Sequence, residues 1–478
     1  MDKLNYIPKE DRKKILLLCD DLRMHSGIAT MAREFVLGSA HHFNWFQIGA
    51  AVQHKETGKV FDISADVNKE VGIEDSDIRI MPNNGYGDPQ LVRNLIKKEN
   101  PDALFIFTDP RYWVWLFEIE REIRDQIPIV WLNIWDDYPA PLYNKHFYNS
   151  VDALLAISQQ TKVINEIVLG EDYKSKVSKY IPHGINTKHF KPLDKESAEF
   201  KKFKSEVLGD KDYEYIVYFN SRNIHRKRPG DIILSYRLFC DKIGKEAASK
   251  CLLIMHTQTK DQHGTDLRAI KEALCDPTYV NVLFSEARIN PAQMNGMYNL
   301  ADVTMLISSN EGWGLSLTES LVTGTMIIPA VTGGMQDQCR FEDEDGNWVR
   351  LSKDFPSNHR GTYKECGEWA VPVFPSNISL AGSVPTPYIF DDRVDPEEVS
   401  EALLKVYELG SDERERRGEE GRRWATSDEA GFTGEHMSNL IIESIDETIN
   451  NFVPRPRYDF IKIGTRPSKY VEHKLTGY

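Results

Sequence analysis

The sequence Ser309-Asn310-Glu311-Gly312-Trp313-Gly314-Leu315-Ser316-Leu317-Thr318-Glu319 joins an apolar run to a helical pattern. The apolar run, residues 303–307, is typical of a buried parallel strand, and the helical pattern covers residues 315–322. A second apolar run, residues 326–331, follows immediately. A strand, a glycine-bearing turn, a helix and another strand within about thirty residues predict one βαβ unit.

Two carboxylates, Glu311 and Glu319, bracket this turn. Both can point to the carboxyl edge of the strands, where open α/β sheets bind their ligands. The free N–H groups at the start of the helix suit a phosphate. The carboxylates are better suited to accept hydrogen bonds from hydroxyl groups. We therefore expect a ligand that carries both phosphate and hydroxyls, such as those of a ribose or a sugar.

The composition predicts a globular protein of two or three domains, because the chain has 478 residues with ordinary apolar and charged fractions. A formal net charge of −14 argues against a general polyanion binder. The six cysteines lack metal-ligand spacing and predict buried thiols in a cytoplasmic protein. The charged N-terminus does not resemble a signal peptide, and no apolar run is long enough to cross a bilayer.

Two alternating series of strand and helix patterns predict two doubly wound parallel sheets in tandem, an α/β fold. In the first series a strand leads through a loop containing Gly27 into a helix, a form typical of a phosphate-binding crossover. The strands of this series are predicted at residues 14–20, 44–52, 102–108, 129–134, 153–157 and 179–182. Those of the second series are predicted at residues 215–219, 252–256, 280–284, 303–307 and 326–331.

These series place an N-terminal Rossmann-like domain at residues 1–190 and a C-terminal one at residues 210–430. Residues 187–212 are charged, carry no strand pattern and contain the predicted boundary. Residues 336–390 break the pattern and predict an elaborated loop region with one hairpin. Residues 431–478 predict a helix followed by a basic tail, which we expect to pack back on the N-terminal domain.

Basic residues precede a second helix of the C-terminal series. Arg222 and Lys227 follow the strand at residues 215–219 and stand just before Pro229, which suits the first turn of a helix. They therefore belong to the same edge of the sheet as Glu311. A planar guanidinium and a flexible ammonium at this edge can hold two phosphates together. Arg226 and Arg228 are expected to face outward or towards an acceptor.

Together these residues resemble retaining glycosyltransferases of the large family 4, whose GT-B fold has two Rossmann-like domains that face each other across a cleft. The resemblance covers most of residues 13–335 and again residues 385–445. The residues that carry it are, in chain order, Gly27, His183-Gly184-Ile185, Arg222, Lys227, Met297-Tyr298-Asn299-Leu300-Ala301-Asp302-Val303, Glu311-Gly312-Trp313-Gly314-Leu315, Glu319 and Thr332-Gly333-Gly334.

The resemblance implies transfer of a sugar, with retention of configuration, from a nucleoside-diphosphate sugar to an acceptor hydroxyl on a saccharide or a lipid-linked glycan. Arg222 and Lys227 would neutralise the leaving diphosphate, Glu311 would contact the donor sugar, and Glu319 would accept hydrogen bonds from the ribose. No metal and no cofactor besides the donor substrate is implied. The other donor-binding residues would be Gly27, Gly312, Trp313, Gly314 and Leu315.

The chain departs from the family at Trp135-Asp136-Asp137, where many relatives carry a histidine. Another group must take over the role of that histidine in this chain. The candidates on the acceptor side are Trp135, Asp136 and His183. The region 336–390 is longer than the family pattern. It is a candidate for a lid, an acceptor element or a contact between copies of the chain.

Three alternatives stay open at this point. Glycosylation of a hydroxymethylated DNA base is favoured by the basic residues 222–228 and the basic tail 454–474, and is opposed by the net charge. A sugar-nucleotide epimerase would use the same fold without an acceptor. A non-catalytic binding protein would keep the fold and lose the chemistry.

Overall fold

Two parallel sheets organise the chain in the computed structural model, which describes residues 6–51, 54–355, 361–456 and 458. Most of the predicted basic tail therefore lies outside the described residues. No helix in the described ranges is both long and apolar enough to span a bilayer. The six cysteines are free, and five of them are buried.

The first sheet has seven strands, and apolar sequence such as residues 15–19 is buried on both of its faces. Its strands are β1 (Lys13–Asp20), β2 (Phe43–Ala51), β3 (Phe61–Asp62), β4 (Ile78–Asn84), β5 (Ala103–Phe107), β6 (Ile129–Asn133) and β7 (Ala153–Ala156). Their spatial order is β3-β4-β2-β1-β5-β6-β7, and β3 pairs with β4 in the antiparallel sense while the others are parallel.

The second sheet has five parallel strands in the order β10-β9-β8-β11-β12, and a separate antiparallel hairpin follows it in the chain. The strands of the sheet are β8 (Tyr215–Asn220), β9 (Cys251–His256), β10 (Val282–Ser285), β11 (Val303–Leu306) and β12 (Met326–Pro329). The hairpin consists of β13 (Asn377–Ser383) and β14 (Thr386–Arg393).

Several helices begin where a side chain satisfies one of their first N–H groups, as at Ser26, Ser158 and Asn290. Those up to the domain boundary are α1 (Gly27–Gly38), α2 (Ser64–Val71), α3 (Pro89–Glu99), α4 (Val114–Glu118), α5 (Glu120–Arg124), α6 (Lys145–Asn149), α7 (Gln159–Leu169) and α8 (Ala198–Leu208). Those that follow are α9 (Pro229–Ile243), α10 (Lys245–Ala248), α11 (Leu267–Leu274), α12 (Pro291–Leu300), α13 (Leu315–Val322), α14 (Pro396–Glu408), α15 (Ser411–Ala425) and α16 (Gly434–Asn451).

Strand order reverses between β1 and β5 in the first sheet and between β8 and β11 in the second. Doubly wound sheets bind ligands outside the carboxyl ends of the strands at such switch points. The loop after β8 carries residues 221–228, and the turn after β11 carries residues 307–314. The topology therefore brings the predicted basic residues and Glu311 to one edge.

The chain passes between the two sheets at two neighbouring places. Ile185 pairs with Thr433, and a Cβ on Gly184 would overlap the carbonyl of Thr433, so the two crossings lie in direct contact. The helix α16 then returns to the N-terminal sheet. There Asp446 accepts hydrogen bonds from the Lys13 ammonium at 3.0 Å and contacts the His42 ring at 2.7 Å.

Most predicted strands are confirmed, and the differences are local. Residues 179–182 form one bridge, Ala156 with Tyr180, rather than a strand. Two short helices, α4 and α5, lie between β5 and β6, and the charged boundary contains α8. β4 lies next to β2 at a position for which no strand was predicted. The hairpin expected within residues 336–390 is present and extends to Arg393.

Candidate functional site

A buried carboxylate held by two cations lies at the switch point of the second sheet. Arg226 Nη1 donates to Glu311 Oε2 at 2.9 Å, and the Lys227 ammonium makes a short hydrogen bond to the same oxygen. Arg226 also donates to the carbonyl of Asn310 at 2.9 Å. The basic loop after β8 is thus joined to the turn before α13, as the topology requires.

Burial and charge act in opposite directions on these groups. Burial by itself would raise the pKa of Glu311, but the charges of Arg226 and Lys227 hold that pKa well below its usual range. Burial lowers the pKa of Lys227, and the attraction of Glu311 opposes this effect. Glu311 is therefore ionised at neutral pH and acts as an acceptor of hydrogen bonds.

The turn after Glu311 is shaped by two glycines in the left-handed region. Gly314 has φ +93° and precedes the first residue of α13, so its conformation starts the helix at Leu315. Gly333 has φ +54°, and a Cβ there would overlap the carbonyl of Glu311. Gly334 N donates to that same carbonyl at 3.0 Å. These contacts fix the backbone that carries the buried carboxylate.

Glu319 lies in the second turn of α13 and is partly buried. Its Oε2 accepts a hydrogen bond of 2.5 Å from the Tyr298 hydroxyl, which in turn accepts one of 2.9 Å from Asn220 at the end of β8. Burial raises the pKa of Glu319 to about 7, although the hydrogen bond from Tyr298 opposes the rise. Its carboxyl group is held near the ends of β8 and β11.

The N-terminal domain supplies the opposite wall. Gly27 is the first residue of α1, and a Cβ there would lie 3.3 Å from Cδ1 of Leu315. A Cβ on Gly312 would lie 3.0 Å from Oδ1 of Asp136, whose Oδ2 is 4.0 Å from Arg226. The glycine loop and the end of β6 therefore face the turn around Glu311 directly.

Two of the predicted side chains belong to the core between the domains. Trp313 is buried, donates to Thr318 at 2.8 Å and packs its ring 6.0 Å from that of His183. Burial lowers the pKa of His183 to about 3, so its ring is neutral at ordinary pH. Trp135 is buried beside Tyr143. Of the acceptor-side candidates, Asp136 is the one whose carboxylate reaches the cleft.

Two arginines, Arg222 and Arg226, take positions that differ from the expectation. Arg222 does not meet Glu311; it forms a bidentate pair with Asp261, at 2.7 and 3.2 Å, with its side chain 62% exposed. Arg226, expected to face outward or towards an acceptor, takes the position on Glu311 and also approaches Asp136 from the acceptor side. Arg228 pairs with Asp391 of the hairpin at 2.5 Å.

Sequence reasoning missed Tyr298 and Gly333 as parts of the site. Both stand within segments that carry the family resemblance, residues 297–303 and 332–334, so the signal was present without a role attached to it. In the described part of the chain, no three His, Cys, Asp or Glu side chains cluster as a metal site would.

No family profile and no curated protein sequence matches the chain. Solved structures do. A sucrose-phosphate synthase from Thermosynechococcus elongatus superposes with a TM-score of 0.64 at 14% identity, over 92% of this chain and 100% of that one. A glycosyltransferase from Rickettsia africae superposes with a TM-score of 0.59 at 16% identity, over 92% of this chain and 100% of that one.

Anabaena HepE, solved in complex with UDP and glucose, superposes with a TM-score of 0.60 at 12% identity, over 91% of this chain and 100% of that one. At such identities the likeness concerns the fold, which extends over nearly the whole of both chains. Two Rossmann-like domains face each other across a cleft, and the predicted α/β class is confirmed: the chain has the GT-B fold.

Proposed function

We propose that this protein is a glycosyltransferase that moves a sugar from a nucleoside-diphosphate sugar to an acceptor hydroxyl. The observation that carries the proposal is the Glu311 carboxylate, held by Arg226 and Lys227 at the switch point of the donor-side sheet. The structural neighbours, which include a sucrose-phosphate synthase and HepE in complex with UDP and glucose, support the same class of reaction.

The donor would lie between the two walls of the cleft. Its diphosphate would meet Lys227 and Arg226 and the N-terminus of α13, where free N–H groups favour an anion. Its ribose would donate hydroxyl hydrogen bonds to Glu319, and its sugar would donate to Glu311, which is ionised and therefore accepts. Gly27 and Gly312 allow the two walls to approach each other closely beside the donor, since a Cβ at these positions would lie 3.3 Å from Leu315 and 3.0 Å from Asp136.

Catalysis would then consist of stabilising the leaving diphosphate. Cations placed where negative charge develops lower the barrier without a nucleophilic side chain of the protein, and neither glutamate acts as one in this proposal. The acceptor oxygen bonds to the sugar as the bond to the diphosphate breaks, and the leaving diphosphate takes the proton of the acceptor hydroxyl. Arg222 keeps a role, because its exposed pair with Asp261 costs little to break and its loop already lies at this edge. We further propose, from the family resemblance, that configuration is retained and that the arginine and lysine side chains serve where other enzymes use a metal.

A panel of nucleoside diphosphates and their sugars, read by thermal shift, tests the proposal first. A ligand that binds only the folded state stabilises it by about 2.7 kcal/mol at a hundred times its Kd. We expect stabilisation by at least one nucleoside diphosphate and its sugar, and none by the matching nucleoside. Absence of any such response contradicts the proposal.

Transfer itself is tested with the donor found in this way. Release of the nucleoside diphosphate should depend on an added acceptor, and NMR of the product should show the anomeric configuration of the donor. Incubation with the donor alone should leave the sugar nucleotide unchanged. A new sugar nucleotide without acceptor would identify an epimerase instead, and binding without turnover would identify a binding protein.

A further inference from the structure

The β13–β14 hairpin leaves the second domain and contacts the first at the mouth of the cleft. Phe390 N donates to the carbonyl of Tyr138 at 2.6 Å, and Tyr143 donates its hydroxyl to the carbonyl of Tyr388 at 3.2 Å. At its base, Asp392 N donates to the carbonyl of Ser309 at 2.9 Å. The hairpin therefore bridges the loop after β6 and the turn that carries Glu311.

A cavity of about 470 Å³ lies between the tip of this hairpin and the N-terminal domain. This volume falls within the range of about 300–1,000 Å³ typical of sites for small molecules. The hairpin lines the cavity with Gly382, Ser383, Thr386 and Ile389. Asp136 and Arg226 line it too, so the cavity adjoins the proposed donor site on its acceptor side.

The opposite wall carries hydroxyl acceptors and aromatic rings. Asp20 accepts hydrogen bonds from Ser26 at 2.5 Å and from the Tyr86 hydroxyl at 2.6 Å. The rings of Tyr86 and Tyr112 lie 4.8 Å apart, and both line the cavity. Carboxylates beside aromatic rings suit a ring compound that is apolar on its face and rich in hydroxyls on its edge.

The charges of the lining do not favour an anionic ligand. Among the described residues, three carboxylates, Asp20, Asp109 and Asp136, face this cavity against two guanidiniums, Arg111 and Arg226. Arg111 lies 3.6 Å from Asp109, and Arg226 is bound to Glu311. A phosphate on the acceptor would meet net negative charge and cations that already have partners.

We propose that the hairpin is the acceptor-specificity element of this enzyme. It completes a site for one neutral saccharide unit, which is either a free sugar or the terminal unit of a longer saccharide. The inference rests on the proposed function, because an acceptor has meaning only if transfer occurs. It assigns the hairpin a role that the donor site does not require: the tip limits the size of the acceptor, while the carboxylates select for hydroxyls without phosphate.

Two tryptophan substitutions at the tip test the role of the hairpin. Ser383 lines the cavity, whereas the neighbouring Val384 is 98% exposed and does not. We expect Ser383→Trp to raise the acceptor KM at least tenfold, with the Kd of the nucleotide sugar unchanged. Val384→Trp should match the wild type in both quantities. Equal effects of the two substitutions, or a change in donor Kd with Ser383→Trp, overturn the assignment.

The acceptor class is tested with the full-length wild-type protein and three sets of probes. These are neutral mono- and disaccharides, the corresponding sugar phosphates, and an oligonucleotide that contains hydroxymethylcytosine. Transfer to a neutral saccharide is expected. Transfer to sugar phosphates alone or to the oligonucleotide alone, or no transfer to any saccharide, overturns the assignment. Failure of the proposed function is distinct, since the wild type would then either bind no nucleotide sugar or bind one and transfer its sugar to none of the three sets of probes.

Discussion

Gly27 and Leu315 meet across the cleft, one as the first residue of α1 and the other as the first residue of α13. A Cβ on Gly27 would lie 3.3 Å from Leu315 Cδ1. The starts of two helices from different domains therefore approach one another where we place the donor. The first N–H groups of an α-helix have no partner within the helix, which suits an anionic ligand beside these two starts.

The first prediction concerns this approach. Gly27→Val should lower kcat/KM by about tenfold, which corresponds to about 1.4 kcal/mol, because its side chain occupies the space against Leu315. The free energy of unfolding should change far less, since the position lines a cleft. Kinetics and urea unfolding of the same samples measure both quantities.

Leu315→Ala supplies the control for Gly27→Val. If the loss arises from contact between the two side chains, the double variant should recover part of the activity, and a double-mutant cycle would show the coupling. Additive losses would contradict a contact across the cleft.

The second prediction concerns the central ion cluster. Lys227→Ala and Glu311→Ala should each lower kcat by about 10²–10³-fold or more, because Lys227 acts on the leaving diphosphate and Glu311 on the transferred sugar. Circular dichroism should show both variants to be folded. Lys174→Ala is a matched control, since Lys174 pairs with Glu171 on the surface, away from the cleft. Full turnover in either cluster variant would disprove the site.

The third prediction separates the two arginines. Arg222→Ala should change the free energy of unfolding by less than about 1 kcal/mol, because its pair with Asp261 is exposed. Arg226→Ala should lower the free energy of unfolding by more, about 1–3 kcal/mol, because the substitution removes the charged hydrogen bond that Arg226 donates to buried Glu311. Both variants should weaken binding of the nucleotide sugar. Calorimetric titration decides this, and unaltered donor binding by Arg222→Ala would remove Arg222 from the site.

The fourth prediction follows from the raised pKa of Glu319. In the folded state this carboxyl keeps its proton up to about pH 7, whereas in the unfolded state it loses it near pH 4.5. The unfolded state therefore binds fewer protons over this interval, and Glu319 lowers stability as the pH rises through it. Glu319→Gln carries no ionisable group, so its stability relative to the wild type should increase between pH 5 and pH 8.

Urea unfolding at several pH values measures the effect of Glu319→Gln. Glu344→Gln is the matched control for the removal of a carboxyl group, because Glu344 is exposed. A pH profile of Glu319→Gln that runs parallel to that of the wild type would contradict the raised pKa.

The sequence predicted the sheets well, because strands covered on both faces are continuous apolar runs whose ends are marked by glycine and charge. It also predicted the edge on which Arg222, Lys227 and Glu311 stand, since topology fixes that edge. It could not predict which arginine meets Glu311. That choice depends on the single turn at residues 225–227, which ends at Arg228 with φ +52°, and no periodicity encodes such a turn.

Long-range contacts were likewise beyond the sequence. A hairpin was predicted within residues 336–390, but the hydrogen bonds of residues 377–393 to Tyr138 and Ser309 join segments far apart in the chain. Trp313 was predicted to bind the donor because it stands in the motif, yet its side chain packs against His183 and Phe432. A motif specifies residues that are neighbours along the chain, whereas the burial of a side chain depends on residues from distant parts of the sequence that the fold places against it.

The return of α16 to the first sheet has a consequence for biosynthesis. Asp446, which binds Lys13 and His42, is added to the growing chain after both sheets have been made. The surface of α1 that α16 covers therefore stays uncovered until residues 434–451 have been synthesised. A fragment that stops at residue 190 should consequently expose apolar surface and aggregate, although it contains all seven strands of its sheet.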